Sequence, residues 1–236
     1  MTRRIAILLI TLPALLVVGW FARSTERPTP DDQRFTLGID VSHHQGAIDW
    51  RTVEQDGVRF AWIKATEGGD WKDPRFAENW AATRVAGIPR GAYHYFTFCA
   101  PGAAQAQNFI DSVPAEASAL PPAIDLEFAG NCSKRPSRAE LRAELDPFLA
   151  ALRRHYGVEP VLYVTPISYW RFVAGSGLDV ALWRRDVTGT PRWPPGSAYT
   201  VWQYADDGVV AGIQGDVDLN VFDGSHGDLR SWAGVP

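Results

Sequence analysis

The chain has little cysteine, no run of basic residues, no internal repeat and no low-complexity tract. Each absence narrows the reading. Only Cys99 and Cys132 occur in 236 residues, and neither has a histidine at a zinc-ligand spacing, so no structural metal is expected. Lysine and arginine number 23 against 27 aspartates and glutamates, a formal charge of -4 with nothing more basic than isolated Arg pairs. That balance argues against nucleic acid as a partner. Without a repeat, a solenoid has no support.

What is present is a heavy aromatic load and a marked N-terminus. Ten Trp, seven Tyr and eleven Phe offer flat faces that either fill a core or stack on sugar rings. Arg3 and Arg4 precede an apolar run over residues 5–22, followed by a polar, Pro-containing stretch. Residues 1–22 therefore read as a signal peptide or N-terminal membrane anchor, 23–34 as a linker and 35–236 as one domain. Trp20 and Phe21 put bulk where a signal peptidase needs small residues, which favours an uncleaved anchor in the inner membrane. With the Arg pair held inside, the rest faces the periplasm; a cleaved signal leads to the same side and to secretion. An oxidising compartment favours a Cys99–Cys132 disulfide over two free thiols.

From Thr36 onward, β-type runs alternate with helical patterns. Strands are predicted at 36–41, 58–64, 91–96, 121–127, 161–164, 180–183 and 200–204. Helices are predicted after Asp49, over 75–86 up to Gly87, over 101–113, and over 166–173. The strongest starts at the Ser137/Glu140 capping box and repeats Leu141, Leu145, Phe148, Leu149 and Leu152 up to Gly157. The last third is expected to hold little helix. Such βα alternation closes into a barrel or lies open as a parallel sheet, and the length favours a single α/β barrel.

Catalytic groups in such barrels collect at the C-terminal ends of strands, where Asp40, Asp125 and Glu127 fall. Asp125 and Glu127 are two residues apart on an extended chain, so they share a face with Cα atoms about 6.6 Å apart. Repulsion and partial burial raise the pKa of one member, which gives the acid and the charged partner that glycoside hydrolysis uses. On spacing alone, a structural ion pair or a calcium site fits as well. The apolar Pro121-Pro-Ala-Ile124 before the pair weighs toward function, because burying a carboxylate without a role is costly. Tyr93, Tyr95, Tyr163, Trp202 and Tyr204 stand near strand ends as candidate sugar-binding groups, each equally a candidate core residue. His43 and His44, as neighbours on a strand, would point oppositely and make poor metal co-ligands. His94 reads as a hydrogen-bonded core histidine.

Seven motifs occur in order: Gly38-Ile-Asp-Val-Ser42 with His44 and Gln45-Gly46, Phe60-Ala-Trp-Ile-Lys-Ala-Thr-Glu-Gly68, Asp73 with Phe76 and Asn79, Gly91-Ala-Tyr-His-Tyr95, Ala123-Ile-Asp-Leu-Glu127, Trp202-Gln-Tyr204 and Val217-Asp-Leu-Asn220. Through them the chain, over about residues 37–222, resembles the family 25 glycoside hydrolases, the lysozymes of the Chalaropsis type. The resemblance implies a flattened, TIM-like β/α barrel with fewer than eight helices. It also implies an N-acetylmuramidase that cuts the β-1,4 bond between N-acetylmuramic acid and N-acetylglucosamine in peptidoglycan glycan strands, with no cofactor. Glu127 would be the general acid and Asp125 would lie beside the reacting sugar, orienting its 2-acetamido group if the substrate assists. Direct attack by water is the rival route. Asp40 and Asp218 would complete an acidic floor, and Glu67 would lie near the cleft. One departure stands out: after Leu182-Trp183 the family continues with a small residue and a Tyr, whereas Arg184-Arg185-Asp186-Val187 follows here. Altered subsite preference is the expected consequence. The competing reading is a monomeric wall-binding protein on the same barrel without turnover, against which the clustered acids argue.

Overall fold

The computed structural model describes residues 34–191, 193–194 and 198–234. The predicted signal or anchor segment lies outside the described residues. No helix among those described is long and apolar enough to cross a membrane.

Nine strands occur among the described residues: β1 (Thr36–Val41), β2 (Phe60–Glu67), β3 (Trp71–Lys72), β4 (Arg90–Tyr95), β5 (Ala123–Leu126), β6 (Val161–Val164), β7 (Ala181–Arg185), β8 (Val201–Gly208) and β9 (Val217–Phe222). The order β1-β9-β8-β7-β6-β5-β4-β2 returns to β1 and closes an eight-stranded barrel, while β3 is a short antiparallel addition to β2. Pairing is parallel from β1 through β2 and β4 to β8, and antiparallel where β9 joins β8 and β1. Six α-helices occur among the described residues: α1 (Trp50–Gln55), α2 (Phe76–Ala86), α3 (Gly102–Ile110), α4 (Arg138–Tyr156), α5 (Pro166–Ser168) and α6 (His226–Trp232). The expected barrel with fewer than eight helices is the fold observed.

Local chemistry places the helix ends. Asp49 accepts hydrogen bonds from the Arg51 and Thr52 amides and starts α1. Ser137 and Glu140 complete a reciprocal box at the start of α4, and Gly87 and Gly157 end α2 and α4 in the left-handed conformation. Leu141, Leu145, Phe148, Leu149 and Leu152 of α4 are all buried, as their spacing predicts. Two elements differ from expectation. The helix read over 166–173 is one turn of α5 followed by a π-helical turn, Tyr169–Val173. The last third also holds α6, which the sequence reading missed.

Alternation sorts the strand residues into two cores. Outward residues such as Ile39, Ile63, Ile124, Leu126 and Leu162 pack under the helices with Phe109, Leu145 and Phe148. Inward residues at the lower end form a second core around Phe60, Trp62, Val161, Trp183, Val201 and Phe222. Gly38 and Gly91 make room for it: a Cβ at either would strike the Phe60 ring or the Trp62 indole. Trp62 stacks on Trp183 at 4.8 Å, and its Nε1–H donates to the Pro121 carbonyl. This plug closes the barrel beneath the mouth, and truncating either Trp to Ala should cost about 3–5 kcal/mol. A third cluster, Trp202, Tyr204, Ala205 and Val221 with Phe35, Leu37 and Tyr199, covers the outside of β8, β9 and β1.

Candidate active site

Above the Trp62–Trp183 plug, the inward positions turn polar. Asp40 on β1, Lys64 on β2, Tyr93 and Tyr95 on β4, Asp125 at the end of β5, Glu127 just beyond it, Tyr163 on β6, Gln203 on β8 and Asp218 on β9 line one cavity of about 240 Å³. It adjoins a second, wider recess of about 490 Å³, and Glu127, Tyr163, Gln203 and Asp218 line both. Glu127 therefore stands within a continuous groove across the C-terminal mouth of the barrel.

Asp40 is held by two amides. Its Oδ2 accepts from Gln203 Nε2 at 2.9 Å and from Asn220 Nδ2 at 2.8 Å. The orientation of both amides is set from behind, because the Tyr163 hydroxyl donates to Gln203 Oε1 at 2.9 Å and Trp183 Nε1–H donates to Asn220 Oδ1 at 2.7 Å. Asp218 lies directly opposite Asp40 in the β1–β9 register. Burial, then the Asp218 charge, hold the Asp40 carboxyl well above the usual carboxylate range, against the two amides. Burial raises Asp218 as well.

Asp125 sits between these groups and Glu127. Burial, then the charges of Glu127 and Asp40, push it well up, with Lys64 opposing. Its Oδ1 is shielded from solvent and has no hydrogen-bond partner in the protein. Such an atom is exceptional in a folded chain. For Glu127, burial raises the pKa to about 7; the Arg185 charge opposes this, Asp218 adds to it and Lys64 opposes it. The loop after Glu127 is fixed from Asn131, whose Nδ2 donates to the Glu127 carbonyl at 3.0 Å and the Phe96 carbonyl at 2.9 Å. The Cys99–Cys132 disulfide ties the same loop to the segment after β4. Tyr95 adds a third tie, its hydroxyl donating to the Ala129 carbonyl.

The structure thus brings together Asp40, Asp125, Glu127, Asp218, Tyr93, Tyr95 and Tyr163. Glu67 contributes indirectly, accepting from Lys64 Nζ at 2.8 Å, and that ammonium also lies 4.9 Å from the Tyr95 ring centroid. Trp202 and Tyr204 are withdrawn from the sugar-binding candidates. Gln203 between them points into the barrel, so both rings pack outside, and Trp202 Nε1–H donates to the Asp186 carbonyl. Contrary to the expectation from a strand, His43 and His44 do not point oppositely. They occupy a 3₁₀ turn rather than a strand, with ring centroids 4.0 Å apart, and Asp73 Oδ2 lies 2.9 Å from His43 Nδ1. No group of three or more His, Cys, Asp or Glu among the described residues is arranged to hold a metal. His94 is fully buried between Thr66 and Gln105, and burial lowers its pKa to about 4.

The reading missed Lys64 and Gln203 as cavity residues and Asn220 as the buried amide behind Asp40. Gln203 and Asn220 lie inside the quoted motifs, and strand alternation from Asp218 to Asn220, or outward from the Trp202/Tyr204 pair, was the signal available.

A closed β/α barrel with a groove of carboxylates at its C-terminal mouth, one of them titrating near neutrality, defines a glycoside-hydrolase type of site. Residues 39–213 match the model of the Glycosyl hydrolases family 25, and the chain belongs to that family. Among curated relatives, Lysozyme M1 of Streptomyces globisporus is 36% identical over 86% of this chain and 73% of its own length. The N,O-diacetylmuramidase of Chalaropsis sp is 30% identical over 77% and 95%. A family 25 glycosyl hydrolase from Bacillus anthracis superposes with a TM-score of 0.80 at 34% identity, covering 86% of this chain and 95% of that one. The chain is a glycoside hydrolase.

Proposed function

We propose that this enzyme is a muramidase that hydrolyses the β-1,4 bond between N-acetylmuramic acid and N-acetylglucosamine in peptidoglycan. The observation that carries the reading is Glu127: a carboxyl in the middle of the groove, raised to about 7 by burial and so partly protonated at neutral pH. In this reading Glu127 gives its proton to the leaving glycosidic oxygen as the bond to the anomeric carbon breaks. Asp125, which lines the same cavity as Glu127, suits a substrate-assisted route. It would accept a hydrogen bond from the 2-acetamido N–H, while the acetamido oxygen attacks the anomeric carbon and water later opens the ring so formed. Asp40, locked by Gln203 and Asn220, and Asp218 then form the acidic floor that favours developing positive charge. Tyr93, Tyr95 and Tyr163 wall the sugar.

Relatives named lysozyme and N,O-diacetylmuramidase support the substrate. Peptidoglycan lies outside the cytoplasmic membrane, and the Cys99–Cys132 disulfide suits that compartment. Residues 1–22 serve, in this reading, as the anchor or export signal, and the domain works as a monomer. The test is digestion of purified peptidoglycan with mass and reducing-end analysis of the fragments. Soluble fragments with reducing N-acetylmuramic acid are expected; reducing N-acetylglucosamine, or binding without release, would overturn the proposal.

A further inference from the structure

Arg184 and Arg185, which open the stretch Arg184-Arg185-Asp186-Val187 where the chain departs from the family pattern, part company in the fold. Arg184 faces outward on β7 and is 2% exposed: its Nη1 donates to the Trp193 carbonyl, and its guanidinium lies over the Tyr169 and Trp193 rings. Its role is packing. Arg185 faces inward, opposite Gln203 in the β7–β8 register, and lines the wider recess beyond Glu127. Its Nη2 donates to Asp206 Oδ2, and its side chain stays 31% exposed.

Among the described residues, Arg185 is the one cationic side chain lining that recess, whose other charged groups are Glu127, Asp206 and Asp218. An anionic part of a glycan strand entering there meets three acids, and Arg185 alone offsets them. Asp206 takes one edge of the guanidinium and holds the fork in place, leaving its other N–H groups for a planar carboxylate. We propose that Arg185 forms an anion subsite that takes a carboxylate of the peptide carried by an N-acetylmuramic acid residue next to the scissile bond. This rests on the muramidase reading and extends it from the cleaved bond to the substituent recognised.

The test uses binding, so that it does not depend on turnover. Soluble, uncross-linked glycan strands with intact peptides are titrated against the full-chain Glu127→Gln protein, followed by tryptophan fluorescence. Matched strands have their peptide carboxylates converted to methylamides, and a third set has its peptides removed, which leaves only the lactyl carboxylate. Amidation and peptide removal should each weaken binding about tenfold. Adding Arg185→Gln should cost the same factor on intact strands and less than about twofold on amidated ones, and Arg185→Lys should restore part of the loss. Equal loss on intact and amidated strands, or no loss on either, would overturn the subsite. Undiminished binding of stripped strands would show that the lactyl carboxylate uncovered by peptide removal serves equally well, and so overturn the peptide assignment. Wild-type protein that binds intact strands but leaves them uncut would instead overturn the muramidase reading, whatever Arg185 does.

Discussion

The wall from β2 to β7 and the wall from β8 through β9 to β1 follow different plans. The first is parallel, backed by α2 to α5, and buries aliphatic residues such as Ile63, Ile124 and Leu162 between strand and helix. The second is joined through antiparallel β9, and the outer faces of β8 and β9 are covered by Trp202, Tyr204, Phe35 and Tyr199. The division extends into the groove. The parallel wall supplies Lys64, Asp125 and Glu127, whose environments are set by burial and opposing charge. The antiparallel wall supplies a clamp, in which Gln203 and Asn220 hold Asp40 opposite Asp218. In the proposed mechanism the first side moves protons and the second holds shape.

Four variants sharpen that contrast. Glu127→Gln on the parallel side removes the proton donor and should lower kcat by about 10²- to 10⁴-fold, measured by reducing-end release. It should also stabilise the fold at pH 8. A carboxyl raised from 4.5 to about 7 binds more protons folded than unfolded between those values, so its contribution to stability falls as pH rises through that window. Thermal melts should therefore favour the variant by about 3 kcal/mol at pH 8 and converge with wild type below pH 4.5. Replacing Cys99 and Cys132 by Ala releases two loops of the same side across a separation of 33 residues, at a cost of about 3–4 kcal/mol in denaturant unfolding.

Gln203→Ala, on the antiparallel side, frees one bond to Asp40 and strands the Tyr163 hydroxyl; it should lower kcat about tenfold without moving the basic limb of the pH profile. A shift of that limb would show that the two walls are not separable. Trp202→Phe, outside the barrel, should change kcat/KM by less than about twofold while weakening the fold by about 1 kcal/mol through loss of the bond to Asp186.

The contrast also explains what was legible beforehand. On the parallel side the signals are local: Asp49, the Ser137/Glu140 box, Gly87 and Gly157 mark helix ends by backbone chemistry, and the acids ending the apolar β5 run mark the site. On the antiparallel side the usual polarity is inverted. Near the mouth the barrel interior is polar, so Gln203, Asp218 and Asn220 point inward while Trp202, Tyr204 and Val221 pack outside. Aromatic residues at a strand end therefore looked like sugar ligands when they were covering a wall without a helix. Helix α6 buries only Leu229 and so lacks an apolar stripe, although Ser225 with Asp228 forms a capping box that marks its start. The departure at Arg184 and Arg185 was visible, but only the strand register separates the packing residue from the one in the groove.

The central claim, that Glu127 is a proton donor poised near neutrality by its burial in the groove, is tested most directly by carboxyl carbon NMR titration of the glutamate-labelled protein, with Glu127→Gln identifying the resonance. A midpoint at about 7, coinciding with the pH above which cleavage falls, is the predicted result. A midpoint at the ordinary 4.5 would contradict it.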